Sequence, residues 1–198
     1  MGLKLITAAT AEPVDVSEVK SHCRIDFDTD DELIFYYIQT ARDLVEAITR
    51  RKLMPQTWEL YRDGFPDDDR CFQLPFPPVT AVNSVKYLDS NGNLTTMQLN
   101  TDYVVDIISE PAEIVIANNA GAWPITKFAT PNTVIVNFTC GYAAVADIPP
   151  AIKQAIRLLA AHNYENREAT TEKTLNTLPI GIESLLAQYR VWGEDDDS

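Results

Sequence analysis

Apolar residues recur at helical spacing near both ends of the chain and at alternating spacing between them. Residues 14–54 carry the first helical pattern. "PVDVSEVKSHCRI" predicts a short helix ending near Arg24, with Asp15 as N-cap and Glu18 three residues on as its capping-box partner. "DFDTDDELIFYYIQTARDLVEAITRRKL" predicts a longer helix, with Thr29 and Glu32 as a second capping box. Its apolar face is Leu33, Ile34, Tyr37, Ile38, Ala41, Leu44, Val45 and Ile48. The opposite face carries Gln39, Arg42, Asp43, Glu46 and Arg50, with Glu46 set four residues before Arg50 in the favourable order for a surface pair.

The pattern then changes period. "QTWELYRDGF" alternates, and "TVIVNFTCGY" is rich in β-branched residues, so both read as strands. "VNSVKYLDSNGNLTTMQL" reads as a hairpin turning at Asn91-Gly92, a pair that favours a type I′ turn. "YVVDIISEPAEIVI" reads as a second hairpin turning at Glu110-Pro111. "LPFPPV" reads as an extended edge or linker, because proline cannot donate to a ladder. From Pro149-Pro150 the helical period returns, with Ile152, Ile156, Leu159 and Asn163 on one face and Ala155 and Ala160 beside them. "ATTEKTLNTLPIGI" is polar and threonine-rich and predicts a mobile loop. Ile182, Leu185, Leu186 and Tyr189 then restore helical spacing before the acidic GEDDDS run.

These periods define an α+β chain: a small helical bundle from the two end segments, with an antiparallel β domain inserted between them. The expected division is residues 1–54 and 147–192 for the helical core, 55–146 for the β insertion, a mobile loop over 169–181, and a disordered acidic tail over 193–198.

Composition narrows the chemistry. The net charge of −13 over 198 residues argues against a cationic surface that grips nucleic acid through its phosphates. Three cysteines far apart in sequence, with no CxxC, read as reduced thiols of a cytoplasmic protein. The opening "MGLKLITAATAEP" has too short an apolar run for a signal peptide, and no stretch approaches a membrane span.

The sequence carries no catalytic signature. No GxSxG, GxGxxG or Walker-type loop is present. His162 and Glu165 share a helix face, but a carboxylate di-metal site needs a second such pair and further carboxylates. His22 and Cys23 are adjacent and point about 100° apart on a helix. Asp28, Asp30, Asp31 and Glu32 lack the mid-loop glycine of a calcium loop and read as acids at a helix N-terminus. No catalytic residue, metal site or cofactor is expected.

Four stretches, in order, carry a resemblance: "LITAATAEPVDVSEVKSHCRID", "LPFPPVTAVNSVKYLDSNGN", "LLAAHNYENRE" and "LPIGIESLLAQYRVW". Together they resemble the tailed-bacteriophage head–tail connector (adaptor) family, in the branch with a β-domain insertion. The resemblance implies a structural protein that forms an oligomeric ring, dodecameric on the portal protein, in a virion assembled from chains made in the bacterial host cytoplasm. Such a ring extends the DNA channel, lets DNA pass without specific binding and receives a stopper or tail-completion protein. It also implies portal docking through the C-terminal segment, here Leu185, Leu186, Tyr189, Arg190 and Trp192. Tyrosine, tryptophan and arginine dominate interface energetics, which agrees; packing of Leu185, Leu186 and Tyr189 on the chain's own bundle is the competing reading. Tyr36, Arg42 and Glu46, on the outer face of the long helix, are the candidates for contact between subunits. The loop residues Thr170, Thr171, Lys173, Leu175 and Leu178 are candidates for a segment that orders on assembly. A tail-completion or DNA-packaging accessory protein is the alternative; an enzyme is a third.

Overall fold

The computed structural model describes residues 1–67, 71–117, 120–166 and 180–191. The chain divides into two compact units, one from Met1–Ala9 with Pro55–Tyr142 and one from Thr10–Met54 with residues beyond Ala143.

The first unit holds eight strands: β1 (Gly2–Thr7), β2 (Gln56–Arg62), β3 (Cys71–Gln73), β4 (Val79–Leu88), β5 (Leu94–Thr96), β6 (Tyr103–Asp106), β7 (Glu113–Ile116) and β8 (Val134–Cys140). They form a five-stranded sheet in the order β1-β2-β8-β4-β5 and a three-stranded sheet in the order β3-β7-β6. All pairings within these sheets are antiparallel. β8 lies at the centre because its alternation is complete. Val134, Val136, Phe138 and Cys140 all point inward, as β-branched and aromatic residues on one face of a pleated strand should. They share a core with Leu60 and Val85 of the same sheet and Phe72, Tyr103 and Ile114 of the other. Aromatic rings close one side of that core: Phe65 stacks on Trp123 at 4.7 Å, and Trp123 meets Phe72 at 5.6 Å.

Two details differ from the sequence reading. Residues 2–7 are not part of the helical core; they form β1, an edge strand on β2, with Gly2 opposite Tyr61 and Leu5 opposite Trp58. The strand shows no inward alternation because it is exposed along nearly its whole length, so the period that identifies a half-buried strand is missing. The Asn91-Gly92 hairpin is also built differently. Only Gly92 of that pair has positive φ, at 87°. Gly92 N–H donates to Asp89 O at 2.9 Å and Asp89 N–H to Asn93 O at 2.9 Å. That is a type I turn followed by a left-handed glycine, not a type I′ turn.

Asp89 directs this turn. Its Oδ1 accepts the N–H of Asn91 and of Asn93 at 2.9 and 2.8 Å. Hydrogen bonding, first of all from the Asn93 backbone, holds its carboxyl below the usual 3.8. A lowered native value means stability that is present above 3.8 and lost as the pH falls through the native value. Asp89→Ala is therefore expected to lower the thermal midpoint at pH 7 and to lower it less at pH 2, in paired melts at the two pH values.

The second unit contains α1 (Val16–Cys23), α2 (Asp31–Thr49), α3 (Pro150–Glu165) and α4 (Ile180–Leu186), followed by a 3₁₀ turn at Ala187–Tyr189. α3 packs along α2 and also meets α1 and α4. Ile34, Ile38, Ala41 and Val45 of α2 and Ile152, Ala155, Ile156, Leu159 and Ala160 of α3 are buried. Three of the four alanines of α3, Ala155, Ala160 and Ala161, are among its buried residues; small side chains there let helix axes approach closely. α1 and α2 both end on an arginine in the left-handed region, Arg24 (φ 57°) and Arg50 (φ 56°).

Neither expected capping box forms. Asp15 and Asp30 are the N-cap residues, and neither side chain caps its helix. The acids are used between helices instead. Lys20 of α1 binds Asp28 and Asp31, the latter at 2.8 Å. Tyr164 of α3 donates its hydroxyl to Asp30 at 2.8 Å, and Arg157 of α3 reaches Glu18 of α1 at 3.1 Å. The acidic cluster that flanks the start of α2 is thus a knot that ties three helices together.

Candidate functional site: docking surfaces

The outer face of α2 is where the sequence places contact between subunits, and the structure separates its three candidates. Tyr36 is 54% exposed, and its hydroxyl donates to Glu32 one turn back at 3.2 Å, which holds the ring on the helix surface. Phe35, whose ring lies 6.3 Å from that of Tyr36, is exposed beside it, and Leu44 is exposed two turns further along the helix. Arg42 is turned into its own unit: its Nη1 binds Glu12 at 2.6 Å and its Nη2 binds Asp43 at 2.9 Å. Glu46 is only 5% exposed. It does not pair with Arg50 as the spacing suggests. Its Oε2 takes Lys52 at 2.7 Å and its Oε1 the Leu53 N–H at 2.9 Å. The chain turns back at Arg50, so a position that a helical wheel puts outside is covered by the residues that follow.

Glu12 is half-buried, and its hydrogen-bond shell among the described residues is incomplete. Oε1 accepts from Arg42 and, at 3.3 Å, from Gln39, while Oε2 is buried with no hydrogen-bond partner among the described residues. Burial pushes this carboxyl above its usual 4.5, against the pull of the Arg42 guanidinium.

The C-terminal segment also divides. Leu186 is fully buried with Ile182, so it packs on its own bundle. Leu185 and Tyr189 are half-buried and Arg190 is exposed. The segment is tied to the end of α2 by two bonds: Arg51 Nε donates to Tyr189 O at 2.7 Å, and Val191 N–H donates to Thr49 O at 3.1 Å. Trp192 and the loop residues Thr170, Thr171, Lys173, Leu175 and Leu178 lie outside the described residues. Residues 180 and 181, expected in that loop, begin α4.

Sequence reasoning missed a further exposed surface. Ile108, Ile125 and Phe128, in loops of the β unit, are 91%, 83% and 95% exposed. They are single apolar residues in polar loops, so no periodicity marks them. Apolar residues scattered singly over a surface are common, and no contiguous patch joins these three.

His22, His162 and Glu165 line one open groove together with Leu185, yet no group of three metal-ligating side chains is present among the described residues. His162 Nδ1 lies 3.3 Å from the Asn166 amide. Burial, followed by the Glu165 charge, pushes the nearby Cys23 thiol up, which makes it a poorer nucleophile. No helix among the described residues is long and apolar enough to cross a membrane.

The sequence profile of the phage gp6-like head-tail connector proteins matches residues 13–98 and 125–190. The chain therefore belongs to that family, and it is a head–tail connector of the virion. The profile leaves out residues 99–124, which carry β6 and β7. Solved structures share the fold. One chain from a virion of a native gene transfer agent particle is 24% identical with a TM-score of 0.78, over 98% of this chain and 97% of that one. Others come from the neck of an empty gene transfer agent particle computed with C6 symmetry (24%, TM-score 0.76) and of a native one computed with C12 symmetry (22%, TM-score 0.71), with the same coverage. No curated protein sequence matches significantly.

Proposed function

We propose that copies of this chain close into a ring beneath the portal of a tailed phage-like particle, extend the DNA channel there, and present a platform for a stopper or tail-completion protein. The observation that carries this reading is the family match, which spans segments of both units. The related necks were computed with six-fold and twelve-fold symmetry, and a dodecamer is compatible with both. The role is structural, and the bacterial cytoplasm is where the chain is made.

The surfaces fit the role. Tyr36 and Phe35, with Leu44 two turns further along, form a partly apolar face on the longest helix of the bundle and the surface we assign to contact between subunits. Leu185, Tyr189 and Arg190 are the part of the C-terminal segment still accessible to a portal. Glu46, Leu186 and Arg42 drop out, because their side chains are committed within the unit. The charge of −13 per chain gives a ring an anionic field that opposes adhesion of DNA to its wall.

Native mass spectrometry of the chain with and without its portal tests the proposal. A closed oligomer on the portal is the expected result. Tyr36→Glu is expected to abolish the oligomer while leaving the melting midpoint of the isolated chain unchanged, since the residue is exposed. A chain that stays monomeric on the portal in every condition overturns the ring.

A further inference from the structure

The β unit keeps open sheet edges that the docking surfaces above do not use. β1 pairs with β2 alone, and its other edge meets no strand. Along it Leu3, Lys4, Leu5 and Ile6 are all exposed. Edge strands are commonly blunted by charge, proline or a bulge. β1 has one lysine and a bulge between Leu5 and Thr7, yet three large apolar side chains stay uncovered on it. β6 is an edge of the other sheet; it pairs with β7 and, at Tyr103 only, makes a single bridge to Leu99. Val104 and Ile107, the residue after the strand, are exposed there. Asp106 lies between Val105 and Ile107, fixed by the Ile108 N–H at 2.8 Å and the Ser109 hydroxyl at 2.7 Å. Neither Lys4 nor Asp106 has an ion-pair partner among the described residues. Glu59, across from Lys4 on β2, is held by Tyr61 and Asn137 instead. Both β1 and β6 lie outside residues 13–98 and 125–190, the part that the family profile matches.

We propose that these two edges are partners between copies: β1 of one copy adds antiparallel to β6 of the next. Charge selects the occupant. Lys4 stands between Leu3 and Leu5, and Asp106 between Val105 and Ile107. One antiparallel register therefore sets base opposite acid, Leu5 opposite Val105 and Leu3 opposite Ile107. The faces agree as well. Leu3 lies across from the core residue Leu60, so Leu3 and Leu5 stand on the core side of their sheet, and Val105 packs against the core from its own. A slip of one residue would set Lys4 against an apolar neighbour and reverse the faces. The other free edges offer no acid: β5 is Leu-Thr-Thr, β3 is Cys-Phe-Gln, and a second β1 brings only another lysine. Because two different edges meet, the contact runs head to tail and makes a ring where the rotation between copies closes. It deepens the ring reading above and rests on it for closure alone.

Cysteine pairing between two variants tests the contact. Directly opposite residues of an antiparallel pair have Cβ atoms about 4.5–5.5 Å apart, near the reach of a disulfide. Leu3→Cys and Ile107→Cys chains are mixed and treated with oxidised glutathione, free in solution and bound to the portal. The parent chain, with its own three cysteines, sets the background. The mixed dimer is expected in several-fold excess over either homodimer. Lys4→Glu in the Leu3→Cys chain is expected to cut its yield several-fold, because like charges then face each other. Val104→Cys in place of Ile107→Cys moves the thiol three residues, about 10 Å, along the strand and should leave only a trace. All of these positions except the pair's partner strands are untouched and the substituted ones are exposed, so each variant should melt with the parent. A mixed dimer no more abundant than the homodimers in both settings, or equal yields from Ile107→Cys and Val104→Cys, overturns the proposal. Native mass spectrometry of the same portal-bound samples reads the ring separately. A ring without the mixed disulfide rejects the strand contact; the disulfide without a closed ring upholds the contact and rejects closure.

Discussion

Arg42→Met is expected to lower the stability of the isolated chain at pH 7 by about 1–3 kcal/mol, between the cost of breaking an exposed ion pair and that of breaking a fully buried one, because Arg42 and Glu12 are both half-buried. Glu12 is the reason. Its Oε2 already lacks a hydrogen-bond partner among the described residues, and its Oε1 depends on Arg42 and Gln39. Burial raises its native pKa above 4.5 while Arg42 restrains the rise. In the window between 4.5 and the raised value, the native state binds more protons than the unfolded state. The contribution of this group to stability therefore falls as the pH rises through that window. Without Arg42 the window extends upward, so the variant should lose stability more steeply than the parent between pH 5 and 7. Adding Glu12→Gln should remove the extra slope. Urea unfolding at the two pH values reads all three. A loss below about 0.5 kcal/mol, the range of ordinary surface substitutions, would return Arg42 to the surface and to the subunit contact that its helical position suggests.

Leu186→Ala is expected to cost about 2–5 kcal/mol in the isolated chain, because it empties a fully buried site. Leu185→Ala, one residue earlier and half-buried, should cost less than about 1 kcal/mol. The order should invert for portal binding measured on folded protein: Leu185→Ala and Arg190→Ala weaken it, while Leu186→Ala acts only through the unfolded fraction. Equal midpoints for the two leucine variants would show that Leu186 is not core, and the whole segment would again be available for docking.

The two leucines show how far a sequence carries such an assignment. Their spacing places both on a helix, but a helical stripe is equally apolar whether it meets a partner or its own bundle. Ile182 and Leu186, four apart, turn inward, and Leu185 is left at the margin. The same limit applies on α2. Ile34, Ile38, Ala41 and Val45 were legible as core from their period, whereas Glu46 was not, because Lys52 and Leu53 return to cover it only after the turn at Arg50. Asp28, Asp30 and Asp31 were legible as acids near a helix start; that they bind Lys20 and Tyr164 depends on where α1 and α3 lie.

By itself, the amino-acid sequence determined the α+β class, the strand character of β2 and β8 and most of the buried face of α2, because these follow from local periodicity and the preferences of β-branched residues. Only the tertiary structure decided that residues 2–7 form an edge strand, that Arg42 and Glu46 are spent inside the unit, and that Ile108, Ile125 and Phe128 stand uncovered. Each of these depends on pairing or coverage by residues distant in sequence, and neighbours along the chain carry no record of it.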